Sequence, residues 1–186
     1  MKKKALLIAV VAIALAVVTA ASVTVAWLSA KTDPVTNTFT VGKIEIELDE
    51  TTSGYKIVPG GTDAKDPTVT VLSGSEKCFV YVLVENNLVI DGNVVGVPNI
   101  DSTKWTSVGT SDNKTLYRYA SEVDATEGDV KIPVFTAVTY DGEKITSANI
   151  KDLKDETIII TAYAHQSVNT TQGVADAAAK AEFGIN

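Results

Sequence analysis

Segments in which apolar and polar residues alternate recur along most of the chain. Alternation with a period of two is typical of a β-strand, because successive side chains of a strand point to opposite faces of its sheet. Ile44, Ile46 and Leu48, for example, are separated by Glu45 and Glu47. The pattern predicts a protein built mainly from strands, with a core that lies between sheets.

One predicted strand is apolar on both faces. Every residue of Cys78–Val84 is apolar or aromatic, so that Phe79, Tyr81 and Leu83 point to one side and the intervening valines to the other. Such a strand requires cover on both faces. We expect it in the middle of a β-sandwich, or partly against a neighbouring subunit.

Turn signals divide the remaining strands. The sequence Asp91-Gly92 between two apolar stretches predicts a type I′ hairpin, Tyr140–Glu143 suggests a second such turn, and Val58–Gly61 a further turn. A short C-terminal helix that covers one edge or end of the sandwich is predicted from Val174, Ala177, Ala178 and Ala181 at helical spacing. The other predicted strands are Phe39–Leu48, Thr68–Leu72, Trp105–Val108, Thr115–Ala120, Lys131–Tyr140 and Thr157–Ala164, arranged in two packed antiparallel sheets.

The N-terminus has the organisation of an export signal. Three lysines follow Met1, and the 26 residues of Ala5–Ala30 carry no charge. A basic start, an apolar centre and small residues near the end are typical of a secretory signal peptide, but the run is also long enough to span a bilayer. Residues 1–26 are therefore predicted to be either a signal peptide cleaved between Ala26 and Trp27 or a retained membrane anchor.

Charge and reactive side chains argue against several classes of function. Loss of residues 1–26, which contain three lysines and no acid, changes the formal net charge from −7 to −10, so nucleic acid is not an expected partner. The only cysteine, Cys78, excludes an intramolecular disulfide. With the single histidine His165 and no His-Glu-x-x-His sequence, a conventional two-histidine zinc site is also excluded.

The residues that remain as candidates each have a structural interpretation that we favour. His165 is expected to be a packing or rim residue at the end of a strand, although a Ser-His-Asp arrangement around it stays formally open. Trp105, Tyr117 and Tyr119 are expected in the core instead of on a ligand-stacking surface. Six acids in turn-rich segments leave calcium binding open, but none has the spacing of a calcium loop: Asp63, Asp66, Asp91, Asp101, Asp112 and Asp141. We predict no catalytic residue, cofactor or metal site.

Several segments together match the pattern of a known family. The pair Ala26-Trp27 is followed by Thr38-Phe39-Thr40-Val41-Gly42, as an Ala-aromatic pair and a Thr-Phe-x-x-Gly strand follow one another in that family. The further matching segments are Pro59-Gly60, Glu85-Asn86-Asn87, Trp105, Leu116–Tyr119, Pro133–Val138 and Ile160–Gln166. In these residues the chain resembles the TasA/camelysin family of exported Gram-positive proteins, which use a SipW-type signal peptidase.

The resemblance implies a jelly-roll fold and a secreted subunit of biofilm matrix fibres. The predicted class is therefore an all-β, jelly-roll-like antiparallel sandwich with an N-terminal signal or transmembrane helix and a short C-terminal helix. Its predicted parts are the signal or anchor 1–26, an N-terminal arm 27–38 and a sandwich domain 39–186. The arm, with Trp27, Thr38, Phe39 and Val41, is expected to add as a strand to another copy and give a filament.

Two other functions remain as alternatives. A monomeric surface adhesin or ligand-binding module would use a pocket in the loops. A protease of the kind for which camelysin was named is the weaker alternative, because the residues for it are missing. Whether fibres form is left open by the sequence alone.

Cleavage after Ala26 gives a testable mass. We expect the exported protein to begin at Trp27, because Thr24 and Ala26 supply the small residues that a signal peptidase requires. Mass spectrometry of the protein recovered outside the cell measures this directly. A mature N-terminus at Ser22, or an intact Met1, contradicts the assignment.

Overall fold

The computed structural model describes residues 42–51 and 56–185, and strands predominate in both ranges. A 3-10 helix, Ile150–Leu153, precedes the last strand, and one α-helix, α1 Gln172–Phe183, follows it. The predicted all-β class with a short C-terminal helix is confirmed. The predicted N-terminal signal or transmembrane helix lies outside the described residues. The strands are β1 Ile46–Asp49, β2 Thr62–Ala64, β3 Thr68–Val71, β4 Cys78–Asn86, β5 Val89–Ile90, β6 Asn93–Val94, β7 Gly96–Pro98, β8 Trp105–Ser111, β9 Lys114–Tyr119, β10 Val130–Pro133, β11 Ala137–Tyr140 and β12 Ile158–Gln166.

Within the described ranges, no helix has the length and hydropathy needed to cross a bilayer.

Hydrogen bonds group the described strands into four sheets, not the two predicted, and every pairing is antiparallel. The sheet orders are β12-β4-β9-β8, β1-β3-β10, β2-β11-β7 and the small hairpin β5-β6. One buried cluster joins the inner face of the four-stranded sheet to both three-stranded sheets; it includes Val80, Val82, Trp105, Val69, Val71, Ile132 and Val138. The main core therefore lies between these sheets.

Strand β4 is buried on both faces, as predicted. Val80 and Val82 are fully buried in the main core. Tyr81 and Leu83, on the opposite face, belong to a second buried cluster that includes Ala175 and Ala179 of α1. The second face is thus covered by the C-terminal helix of the same chain.

The Asp91-Gly92 hairpin is confirmed, but the second predicted hairpin turn, Tyr140–Glu143, is wrong. Asp91 and Gly92 both have positive φ, at 48° and 75°, and connect β5 to β6. At the second predicted hairpin, Asp141 Oδ1 instead accepts hydrogen bonds from the backbone N–H groups of Glu143 and Lys144, at 2.9 and 3.0 Å. This side-chain bonding makes an Asx-type turn, and the chain continues towards the 3-10 helix without a returning strand.

The segment predicted as one strand, Lys131–Tyr140, is two strands in different sheets. β10 pairs with β3, whereas β11 pairs with β2 and β7. Between them, the Asn99 side chain accepts hydrogen bonds from the backbone N–H groups of Thr136 and Ala137, both at 2.8 Å. These bonds satisfy the backbone where the chain crosses from one sheet to the next.

The terminal helix was predicted to cover an edge or end of the sandwich. It lies instead on the outer face of the four-stranded sheet. Thr171 caps its N-terminus, and Gly184, with a φ of 63°, caps its C-terminus. The helix does not bury the predicted apolar stripe that begins at Val174. Val174 is 56% exposed, while Ala175 and Ala179 are fully buried.

The double burial of β4 gives a stability prediction. Val82→Asp places an unpaired carboxylate in the main core and should lower the free energy of unfolding by about 4 kcal/mol or more. Thr106→Asp, at an exposed position of the same sheet, is the matched control and should change it by less than about 1 kcal/mol. Chemical denaturation of both variants measures the difference, and equal stabilities would show that β4 is not buried.

Candidate assembly edge

The last strand, β12, forms one edge of the four-stranded sheet. It pairs with β4 over its full nine residues, from Ile158 opposite Asn86 to Gln166 opposite Cys78. No other described strand pairs with it. One side of β12 is therefore an edge whose backbone groups have no strand partner in the described part of the chain.

The register identifies which backbone groups face this edge. Asn87 donates its N–H to Thr157 O at 3.0 Å, and Ser167 donates its N–H to Lys77 O at 2.9 Å. In an antiparallel pair, hydrogen-bonded and non-hydrogen-bonded positions alternate. The odd-numbered residues of β12 thus bond to β4, and the even-numbered residues direct their N–H and C=O groups outwards.

The sequence of β12 contains none of the features that usually protect an edge from pairing. It has no lysine, no proline and no bulge, and its residues are Ile-Ile-Ile-Thr-Ala-Tyr-Ala-His-Gln. A long strand of this kind is a template for the addition of another strand.

The other sheet edges are shorter or interrupted. β1 has four residues and two of them are acids, and β10 contains Lys131 and Pro133. β2 and β7 have three residues each, and β7 ends at Pro98. β8 is long enough to pair, but a bulge between Ser107 and Gly109 breaks its register. Among the edges of the three larger sheets, β12 is the best suited to accept a strand.

The described residues cover the core incompletely where β12 approaches β1. The inward side chains of both strands are only half-buried, whereas Val80 and Val82 of the adjacent β4 are fully buried. We call this line of half-buried side chains the open seam; it comprises Ile44, Ile46 and Leu48 on one side and Ile158, Ile160, Ala162 and Ala164 on the other. An added strand with apolar inward side chains would remove this surface from water.

A cavity lies at each end of the open seam. The Ile158 cavity, of about 490 Å³, lies where β12 begins and is lined there by Thr157 and Ile158. The Gln166 cavity, of about 450 Å³, is lined by Ile44 and Gln166 at the opposite end. The seam and its two cavities thus follow the length of β12.

The outer face of the same sheet is occupied by α1 and held by a polar network. Asp176 of α1 accepts a hydrogen bond from Tyr81 Oη at 2.8 Å and pairs with Arg118 Nη1 at 2.6 Å. Burial, and then the hydrogen bond to Asp176, raise the pKa of Tyr81 well above its ordinary value. When the Gln172 amide is oriented with its oxygen towards Arg118, it accepts a further bond at 2.8 Å. The helix is therefore fixed over the face and does not cover the edge of β12, which pairs with no second strand in the described ranges.

The reactive side chains have structural surroundings. Cys78 is fully buried and has no disulfide, and burial, with a smaller effect of the Glu122 charge, raises the pKa of its thiol to about 11. A thiol with a raised pKa is a poor nucleophile at neutral pH. His165 is half-buried at the end of β12, with Nδ1 2.8 Å from Gln166 O. Trp105 is buried and donates Nε1–H to Pro133 O at 3.0 Å.

The acids considered for calcium are used in turns and in hydrogen bonds. Asp101 accepts from the Thr103 backbone and hydroxyl, and Asp63 accepts from Tyr140 Oη at 2.8 Å. Asp91 and Asp112 occupy turn positions with positive φ. Among the described residues, no group of three or more His, Cys, Asp or Glu side chains is placed to hold a metal ion.

The residues predicted to carry assembly are not described by the structure. Ala26 and Trp27 at the predicted cleavage site, and Thr38, Phe39 and Val41 of the predicted arm and first strand, all lie outside the described ranges. Sequence reasoning identified β12 as a strand but missed its edge position. The absence of proline and lysine over nine residues was the one available signal.

Comparison with known proteins identifies no relative: no family model, curated protein or solved structure matches this chain.

The alternation of backbone groups along β12 is testable with two proline variants. In Ala162→Pro the lost N–H faces outwards, whereas in Thr161→Pro it belongs to the ladder with β4. We expect Thr161→Pro to cost about 2 kcal/mol more, because it leaves a buried carbonyl of β4 without its donor. Chemical denaturation of both variants measures the difference, and the reverse order of stability would contradict the assigned register.

Proposed function

We propose that this chain is an exported structural subunit that assembles by strand addition at β12. In this proposal the arm 27–38 of one copy, freed by signal cleavage, pairs with the β12 edge of another. The observation that carries it is the nine-residue edge without lysine, proline or bulge, beside a half-buried seam. Main-chain hydrogen bonds would supply affinity, and burial of the seam would add to it.

The sequence of the arm is compatible with an edge strand that buries one face, provided that the nitrogen of Pro34 faces away from β12. The even-numbered positions from Leu28 to Thr38 carry no charge, and both charges of the arm, Lys31 and Asp33, occupy odd-numbered positions. This is a period of two with one uncharged side. We place the uncharged side of the arm against the seam.

The lengths of arm and edge also correspond. The nine residues of β12 extend about 30 Å, and the twelve residues 27–38 extend about 40 Å when fully stretched, at about 3.3 Å per residue. The arm therefore covers the whole edge with a few residues to spare. Because the arm and the acceptor edge are different surfaces, the contact is head-to-tail and repeats into a filament.

The place of action follows from the N-terminus and the family resemblance. We propose secretion through a SipW-type signal peptidase to the surface and biofilm matrix of a Gram-positive-type bacterium, with membrane contact through residues 1–26 before cleavage. The proposed fold is a jelly-roll-like sandwich, supported by one core shared between the four-stranded sheet and the two three-stranded sheets. The net charge of −10 after cleavage argues against nucleic acid as a partner.

A second candidate is a monomeric ligand-binding module of the cell surface. The observation in its favour is the Ile158 cavity, whose volume of about 490 Å³ falls within the range of small-molecule sites, about 300–1,000 Å³. Such a module has no need of a free arm or of an open edge. Assembly assays therefore separate the two candidates.

Proline at the outward position of β12 tests the assembly mechanism. We expect Ala162→Pro in the chain that begins at Trp27 to remain folded but to lose fibre formation, since it removes an outward N–H and places a ring at the edge. Ala162→Ser, which keeps that N–H, is the matched control and should form fibres. Electron microscopy and light scattering over time measure assembly, with circular dichroism to confirm folding.

Truncation of the arm gives the complementary measurement. A chain that begins at Phe39 should fold and stay monomeric. Equal assembly of the Trp27 and Phe39 chains, or fibres from Ala162→Pro equal to those from Ala162→Ser, would remove the proposed mechanism. Absence of assembly from the Trp27 chain would leave the ligand-binding module as the better candidate.

A further inference from the structure

We propose that the outer face of the sheet β2-β11-β7 packs against the same face of a second copy of this chain, so that filaments associate side by side. This inference rests on the proposed function, because it concerns contacts between the filaments that strand addition would form. It uses a different surface from the arm and the β12 edge.

The outer face of this sheet is exposed and uncharged. In register, Thr139 of the central strand β11 lies between Thr62 and Val97, and Ala137 lies beside Ala64. Ala137 is half-buried and the other four are exposed, Val97 by 56%. We call these five side chains the neutral face. All five are small, and none carries a charge.

The charged and bulky side chains of the same strands point inwards. Asp63, the one charged residue of the three strands, lies in register with Val138 and accepts a hydrogen bond from Tyr140 Oη at 2.8 Å. Val138 and Tyr140 are buried and line the Ile158 cavity at one end of the open seam. Successive side chains of a strand point to opposite faces, so the neutral face is directed away from the seam. An arm bound along the seam therefore does not cover it.

The outer faces of the other two larger sheets are charged or covered. The face of β1-β3-β10 carries the exposed side chains of Glu47, Asp49 and Lys131. The outer face of the four-stranded sheet is occupied by α1 and by the ion pair of Glu85 with Lys114 at 3.2 Å. Among the three larger sheets as described, the neutral face is thus the one outer face that is both exposed and uncharged.

The charge of the protein favours a second copy as the occupant of the neutral face. After loss of residues 1–26 the net charge is −10, so two copies repel each other where their acids meet. They approach with least repulsion at a face without charge, and that face has no group that attracts a charged partner. The hydroxyl oxygens of Thr62 and Thr139 lie 3.1 Å apart and bond to each other, which lowers the cost of removing them from water. The small side chains allow two such sheets to pack at about 10 Å, the usual spacing of stacked sheets.

The size of the neutral face favours contact between filaments over a dimer of single molecules. Three strands of three residues measure roughly 14 by 10 Å, a footprint of about 140 Å². A stable interface buries about 800 Å² on each partner, so one such contact is too small to hold two molecules together. Two filaments repeat the contact along their length, and linked contacts reinforce one another. We therefore expect bundles of filaments and no dimer of the unassembled protein.

A carboxylate placed on the neutral face tests this contact. In the chain that begins at Trp27, we expect Thr139→Glu to form filaments as the wild type does but to reduce the bundled fraction severalfold, because like charges then meet across the interface. Thr110→Glu adds the same charge at an exposed position of β8, outside the neutral face, and should form bundles like the wild type. Val97→Glu, on the edge strand β7, repeats the test if Thr139→Glu does not fold. Electron microscopy counts the filaments in each bundle, and low-speed sedimentation measures the bundled fraction.

Cross-linking identifies the occupant. Thr139→Cys carries one accessible thiol, because Cys78 is fully buried. We expect a short bismaleimide to link Thr139→Cys chains into dimers when filaments are bundled, and to link Thr110→Cys chains severalfold less.

The outcomes separate this inference from the proposed function. Equal cross-linking of the two cysteine variants, equal bundling of the three glutamate variants, or wild-type filaments that stay single would overturn the lateral contact and leave strand addition intact. Wild-type chains that form no filaments would instead overturn the proposed function, and the lateral contact with it.

Discussion

The structure depends on the need to cover β4 on both faces. Its valines require the opposing sheets, and Tyr81 and Leu83 require α1. Its two edges are also used, because β12 and β9 pair with it on either side. The centre of the fold is therefore complete in every direction. Among the described strands, incomplete cover is found at the periphery, where β12 has one neighbour and a half-buried inner face.

The sequence predicted those features that depend on local chemistry. Alternation located most of the strands, the continuous apolar run located β4, and Asp91-Gly92 located the β5-β6 hairpin because both residues accept positive φ. It did not predict how strands divide among sheets. Where the chain between β10 and β11 changes sheet, the distant Asn99 bonds its backbone, and no property of the segment itself indicates this contact.

The orientation of α1 and the edge position of β12 were missed for a related reason. Alanine occupies five of the twelve residues of α1, so the hydrophobic pattern hardly distinguishes one face from another. The face is selected by Asp176, which bonds to Tyr81 and Arg118 from strands far away in sequence. Likewise, the composition of β12 is visible in the sequence, but its lack of a second neighbour among the described strands is a property of the assembled sheet.

The bulge in β8 has a consequence for the shape of any polymer. It interrupts the far edge of the sheet that ends in β12, so within the described residues the sheet presents one long continuous edge for pairing. With one arm and one such edge, each molecule in the proposed assembly is a bifunctional monomer. Bifunctional monomers grow into unbranched chains, whereas a second equivalent edge on each molecule would produce branched trees. In the proposed assembly, the single extra residue opposite β9 thus favours a thread over a branched polymer.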